Sequence, residues 1–124
     1  MNLVKEWMLD LGVVSELNTM DHWTKKHIRH RRQKTCIKWE FLTNSPKATL
    51  PCVVEMCRMF PRKFDDDNLQ GAFKYIRDAI ADGLIPGKKA GMADSDPRIK
   101  WVYSQEKSSA QKIRIRFYQE NALQ

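Results

Sequence analysis

Apolar and polar residues recur along this chain with two different periods, and the period assigns the elements. Residues 7–11 form a mainly apolar run closed by Gly12, which predicts a first strand, and 13–20 read as a loop. Asp21 is placed to cap a helix reaching about Leu42, with apolar spacing clearest at Ile28, Thr35, Trp39 and Leu42. The first half of that helix is expected to be exposed. After a turn around Asn44, Ser45 and Pro46, the β-branched and sulfur-rich run 53–59 suits a central strand. Leu69, Ala72, Phe73, Ile76, Ala79 and Ile80 then mark one face of a second helix. Gln70, Lys74, Arg77 and Ala81 fall opposite, and Gly83 stands where a left-handed C-terminal residue belongs. A Gly-rich loop carrying Lys88 and Lys89 leads to an alternating run at 99–105 and a polar turn at 106–110. In the last strand Lys112, Arg114 and Arg116 alternate with Ile113, Ile115 and Phe117, so the chain is expected to close on an antiparallel hairpin with one cationic face. The sum is an α/β (α+β) chain with a small mixed sheet of about four strands and two main helices.

At 124 residues with 42% hydrophobic positions, the chain holds one modest core, so residues 1–124 are read as a single domain. No apolar run approaches the roughly 20 residues that span a bilayer, and Lys5, Glu6, Asp10 and Glu16 interrupt any secretory pattern at the start. A cytoplasmic location without membrane contact is the expectation. Cys36, Cys52 and Cys57 are an odd number without CxxC spacing, which argues for reduced thiols rather than a disulfide framework or zinc ribbon.

Charge changes the picture most. Lys+Arg 22 against Asp+Glu 15 gives +7, and 21–40 alone carry seven Lys or Arg against two acids, for +5, with all three histidines. Lys25, Lys26, Arg29, Arg31, Arg32 and Lys34, with Lys88 and Lys89, are therefore candidate phosphate contacts, and nucleic acid is the natural polyanionic partner. A merely solvated basic face is the plainer alternative. His27 and His30 do not make a zinc site with Cys36, because closed sites use four ligands at recognisable spacing. Trp23, Trp39 and Trp101 would be core residues by default, with stacking on unpaired bases as the alternative.

Within this basic protein the acids cluster. Asp65, Asp66 and Asp67 stand between a strand and a helix, and Asp94 and Asp96 follow that helix. On extended backbone Asp65 and Asp67 point the same way, and convergent carboxylates suit Mg²⁺ or Mn²⁺, the hard cations of phosphodiester hydrolysis. Acids at a helix start are equally suited to capping, and loop aspartates to turns.

Asp65-Asp66-Asp67-Asn68-Leu69, an amphipathic helix and Asp94-Ser95-Asp96-Pro97 together resemble the RusA family of Holliday junction resolvases, phage and prophage members above all. The resemblance covers 15–118, including Ser15-Glu16-Leu17-Asn18, Phe73-Lys74-Tyr75-Ile76-Arg77-Asp78 and Asp96-Pro97-Arg98-Ile99-Lys100-Trp101. It implies a homodimer that resolves four-way DNA junctions by paired symmetric nicks in recombination and repair. It also implies a Mg²⁺ site held by Asp65, Asp67 and Asp96, with Asp94 as an additional ligand. The family's lysine four residues after the second aspartate is Gly71 here, and Lys74, one helical turn further on, is the candidate replacement. That departure keeps open a RusA-like binding module without catalysis, or a phage regulatory domain.

Overall fold

The structure is a computed structural model that describes residues 1–14, 23–62, 66–89 and 92–120. Asp21, Asp65 and most of the loop expected at 13–20 lie outside the described residues. The elements run β1 (Asn2–Leu9), α1 (Trp23–Thr43), β2 (Cys52–Phe60), α2 (Asp66–Ala72), α3 (Lys74–Leu84), a single 3-10 turn (Ala93–Ser95), β3 (Ile99–Lys107) and β4 (Lys112–Gln119). This is a mixed α+β fold with a four-stranded mixed sheet and three α-helices. The residues fall into two compact units: Met1–Gly12, Pro46–Lys63 and Ser95–Gln124, holding the sheet, and Val13–Ser45 with Phe64–Asp94, holding the helices. No described helix is long and apolar enough to cross a membrane.

In the sheet unit the strand order is β1-β4-β2-β3, with β4 antiparallel to β1 and β2, and β2 parallel to β3. The alternation read in β4 is realised: Ile113, Ile115 and Phe117 are fully buried. Ile115 lies between Trp7 and Met56 in register, and the Trp7 and Phe117 rings meet edge to face at 4.8 Å. Each such buried side chain contributes about 1.5–3 kcal/mol.

The hairpin expected to close the chain is not formed. β2 separates β3 from β4, and the connection after Lys107 passes the end of β2, where Ser108 N–H donates to the Phe60 carbonyl at 3.1 Å. The reason lies in β2, whose Cys52, Val53, Val54, Met56 and Cys57 are buried on both faces and require a strand along each edge. β1 also begins earlier than its apolar run, at Asn2, and ends at Leu9. As an edge strand it leaves Leu3 and Val4 exposed, so no alternation announces it.

The expected cationic face of β4 is neutralised. Arg116 Nε reaches Glu6 at 2.6 Å, Arg114 Nη2 reaches Glu106 at 2.9 Å, and both guanidinium groups lie 3.8 Å from Glu55. One acid comes from each of β1, β2 and β3, forming an ion-pair row across all four strands. The Glu106 carboxyl is held below its usual range by the hydrogen bond from Arg114.

In the helical unit the inward side of α1 differs from the apolar stripe. Ile28, Trp39 and Leu42 are 61%, 64% and 82% exposed, whereas Gln33 and Ile37 are buried. The buried side steps through His30, Gln33, Ile37 and Phe41, spaced three or four apart, and a histidine and a glutamine hide it from a hydrophobicity pattern. The single helix expected from Leu69 to Gly83 is two, broken at Phe73, yet all six apolar positions named for it are buried. Ala81, assigned to the polar face, is buried as well.

Gly83 is not the left-handed terminus. α3 continues to Leu84, and the positive φ beyond it belongs to Gly87, at 97°. Gly83 instead admits the Phe41 ring, whose nearest carbon would lie 2.5 Å from an added Cβ. Gly83→Val is therefore expected to cost about 1–3 kcal/mol through overpacking. Thermal melts should show Phe41→Ala returning part of that loss in the double variant; an unchanged Tm for Gly83→Val would rule out the close approach.

Candidate nucleic-acid interface and acidic residues

α1 carries seven Lys or Arg and a single acid, Glu40, in its 21 residues. Lys25, Arg31, Arg32, Lys34 and Lys38 are exposed, and Lys26 and Arg29 are half-buried. The helix pairs with α3 through His30, whose ring stacks on Tyr75 at 3.6 Å and 20°. Beside that stack lies a cleft of about 620 Å³ lined by His27, His30, Arg31, Lys34, Lys38 and Tyr75, with Thr35. Lys34 Nζ is 5.7 Å and Lys74 Nζ 5.4 Å from the Tyr75 ring centroid, so two ammonium groups stand near one aromatic ring. The lining contains no carboxylate. Such a wall attracts phosphate groups and holds them without reading base identity. Lys88 and Lys89 are exposed beyond α3, just after the turn at Gly87.

Asp65 lies outside the described residues, and Asp67 belongs to α2, whose helical backbone starts at Asp66. The backbone at Asp67 is therefore helical rather than extended. Asp94, on the 3-10 turn, has its carboxylate 3.5 Å from Arg77 Nε, and its carbonyl accepts from Arg77 Nη2 at 3.0 Å.

Asp96 is 7% exposed. Its Oδ1 accepts the Arg98 backbone N–H and Nε, each at 3.0 Å, and its Oδ2 accepts Arg98 Nη2 at 2.9 Å. This turn seats the start of β3 at the Cys52 end of β2, where Cys52 N–H donates to the Arg98 carbonyl at 2.9 Å. The chain leaves β2 at the opposite end, about 26 Å away at roughly 3.3 Å per residue. Among the described residues no three His, Cys, Asp or Glu side chains gather to hold a metal ion. The cysteines are free thiols, and burial pushes those of Cys36 and Cys52 upward.

Sequence reasoning passed over Tyr75, Arg77, Asp78 and Arg98 as individual groups. The available signals were Lys74 and Asp78 four apart on α3, and Arg98 two residues after Asp96. Arg58 was hidden inside an apolar strand; it is buried, lies 4.3 Å from the Phe60 ring centroid and donates to the Arg62 carbonyl.

In the helical unit the Asp78 carboxyl is shifted upward. Burial pushes its carboxyl up, Asp94 and Asp82 push the same way, and Lys74 and Lys34 oppose them. A raised folded-state pKa means that the native state binds the proton more tightly than the unfolded chain. Asp78 therefore lowers stability progressively as pH rises from the ordinary carboxylate range through its folded pKa. Asp78→Asn should melt higher than wild type at neutral pH, with the advantage shrinking in acid. Parallel melting curves across that range would contradict this assignment.

No protein-family model matches the chain, and comparison with curated proteins finds no match.

Proposed function

We propose that this chain is a Mg²⁺-dependent, structure-selective endodeoxyribonuclease of the RusA type, which resolves four-way junctions by paired symmetric nicks. The observation that carries the reading is one compact unit holding both the cation-rich α1 and the Asp66-Asp67-Asn68-Leu69 start of α2. A polyanion-binding wall and the family's acidic motif occur together there. Asp65, Asp67, Asp94 and Asp96 are hard oxygen donors and fit Mg²⁺ or Mn²⁺ by chemistry. When bound, the ion supplies Lewis acidity at the scissile phosphate.

The chain's own residues do the rest. Arg31 and Lys34 hold the DNA backbone, and the exposed Lys74 offers its ammonium to phosphate charge. Arg98 fixes the orientation of the Asp96 carboxylate through its fork. Two sites follow from a C2 homodimer, which presents identical centres to a pseudo-symmetric junction.

A second reading, junction binding without cutting, is favoured by the same fork, because Arg98 engages both Asp96 carboxylate oxygens. Gly71 in place of the family's lysine points the same way. A junction labelled in turn on each strand separates the two: paired nicks at symmetric positions support resolution, whereas a tight complex with intact strands supports binding alone.

A further inference from the structure

We infer that the outward face of α1 around Trp39 is a stacking site for unpaired bases, which directs the protein to branch points rather than uniform duplex. This deepens the proposed function and rests on its nucleic-acid reading, though not on cutting. Trp39 is 64% exposed, although an aromatic at its helical spacing would ordinarily be core. It shares a groove of about 630 Å³ with Ile28, Arg31, Arg32, Thr35 and His27. Its exposed lining is mostly apolar, and its charged members are arginines.

Charge complementarity decides the occupant. Arg31 and Arg32 are exposed in this groove, and the only acid of α1, Glu40, is not among its lining residues. A second copy of the same face would set arginines against arginines. A membrane-lying helix needs a broad uninterrupted apolar sector, but Arg31 and Arg32 flank Ile28 and Trp39. A single strand satisfies both halves of the groove, because an indole accepts any base face while guanidinium groups follow the phosphates. In a continuous duplex the bases are stacked on one another and unavailable to Trp39; at a branch point or in a gap they are free.

The test compares an oligothymidine of about twelve nucleotides, long enough for one stacking platform, with a linear duplex of equal length. Fluorescence anisotropy is measured for wild type, Trp39→Ala and Trp39→Phe, with melting curves confirming the fold. Trp39→Ala should lower the ratio of single-strand to duplex affinity by about 5- to 100-fold, and Trp39→Phe should recover most of it. An unchanged ratio in Trp39→Ala overturns the proposal. So does loss of self-association as the main effect of the variant, or wild-type binding to phosphatidylserine vesicles but not to oligothymidine. Failure here leaves metal-dependent nicking of a junction untouched, and failure of nicking leaves the affinity ratio untouched.

Discussion

Asp67→Asn is expected to abolish Mg²⁺-dependent nicking of a four-way junction while leaving junction affinity within about twofold. The substitution keeps size but replaces an anionic acceptor oxygen, which a hard divalent cation requires, by an NH2 donor, so the loss should reach at least a hundredfold or so. Asp66→Asn is the matched control. Asp66 neighbours Asp67 at the start of α2, and both add charge at a helix N-terminus, so a purely capping role would make the two variants alike in stability and activity. A catalytic role separates them: Asp66→Asn should cut within a few-fold of wild type. Single-turnover cleavage alongside anisotropy measures both quantities, and equal cutting by the two variants would sink the assignment of Asp67.

The second large effect belongs to α1. Arg31→Gln with Lys34→Gln should weaken junction binding about ten- to hundredfold at low salt and flatten the log–log salt dependence by about two, because each phosphate contact releases about one counterion. Both residues are exposed and line the cleft beside Tyr75, so the double variant should fold normally. Arg116→Gln gives the contrast. Its guanidinium already faces Glu6 and Glu55, and its removal should leave the salt slope unchanged. An unaltered slope in the α1 variant would mean that its cations are solvated and not engaged with phosphate.

Where residue chemistry acts through local spacing, the fold was legible. The buried run of β2 and the strict alternation of β4 became the two central strands, and Leu69, Phe73, Ile76 and Ile80 are all buried, though shared between α2, α3 and the break at Phe73. Partner choice was not legible. Lys107 and Lys112 are separated by a short polar connection that suits a hairpin as well as a crossing over β2, and only the sheet as a whole decides between them. The same holds for charge. Arg114 and Arg116 look like a free cationic stripe because Glu6 and Glu55 arrive from distant segments and Glu106 from the strand before. On α1 the hydrophobic stripe misled because His30, Gln33 and Phe41 supply most of the inward side, leaving Trp39 and Leu42 outside.

The candidate site divides along the same line. Its candidate cations lie mostly on α1, with Lys88 and Lys89 beyond α3, so their positions follow from local spacing. The acidic half depends on segments far apart in sequence: Asp94 meets Arg77 from across α3, whereas Asp96 takes Arg98 only two residues on.

The most direct test of the central claim is nicking of a labelled four-way junction beside a matched linear duplex, in Mg²⁺ and in EDTA, with wild-type protein. Junction-selective cuts that require Mg²⁺ are the predicted result. Tight junction binding with every strand intact, in Mg²⁺ and in Mn²⁺, would contradict it.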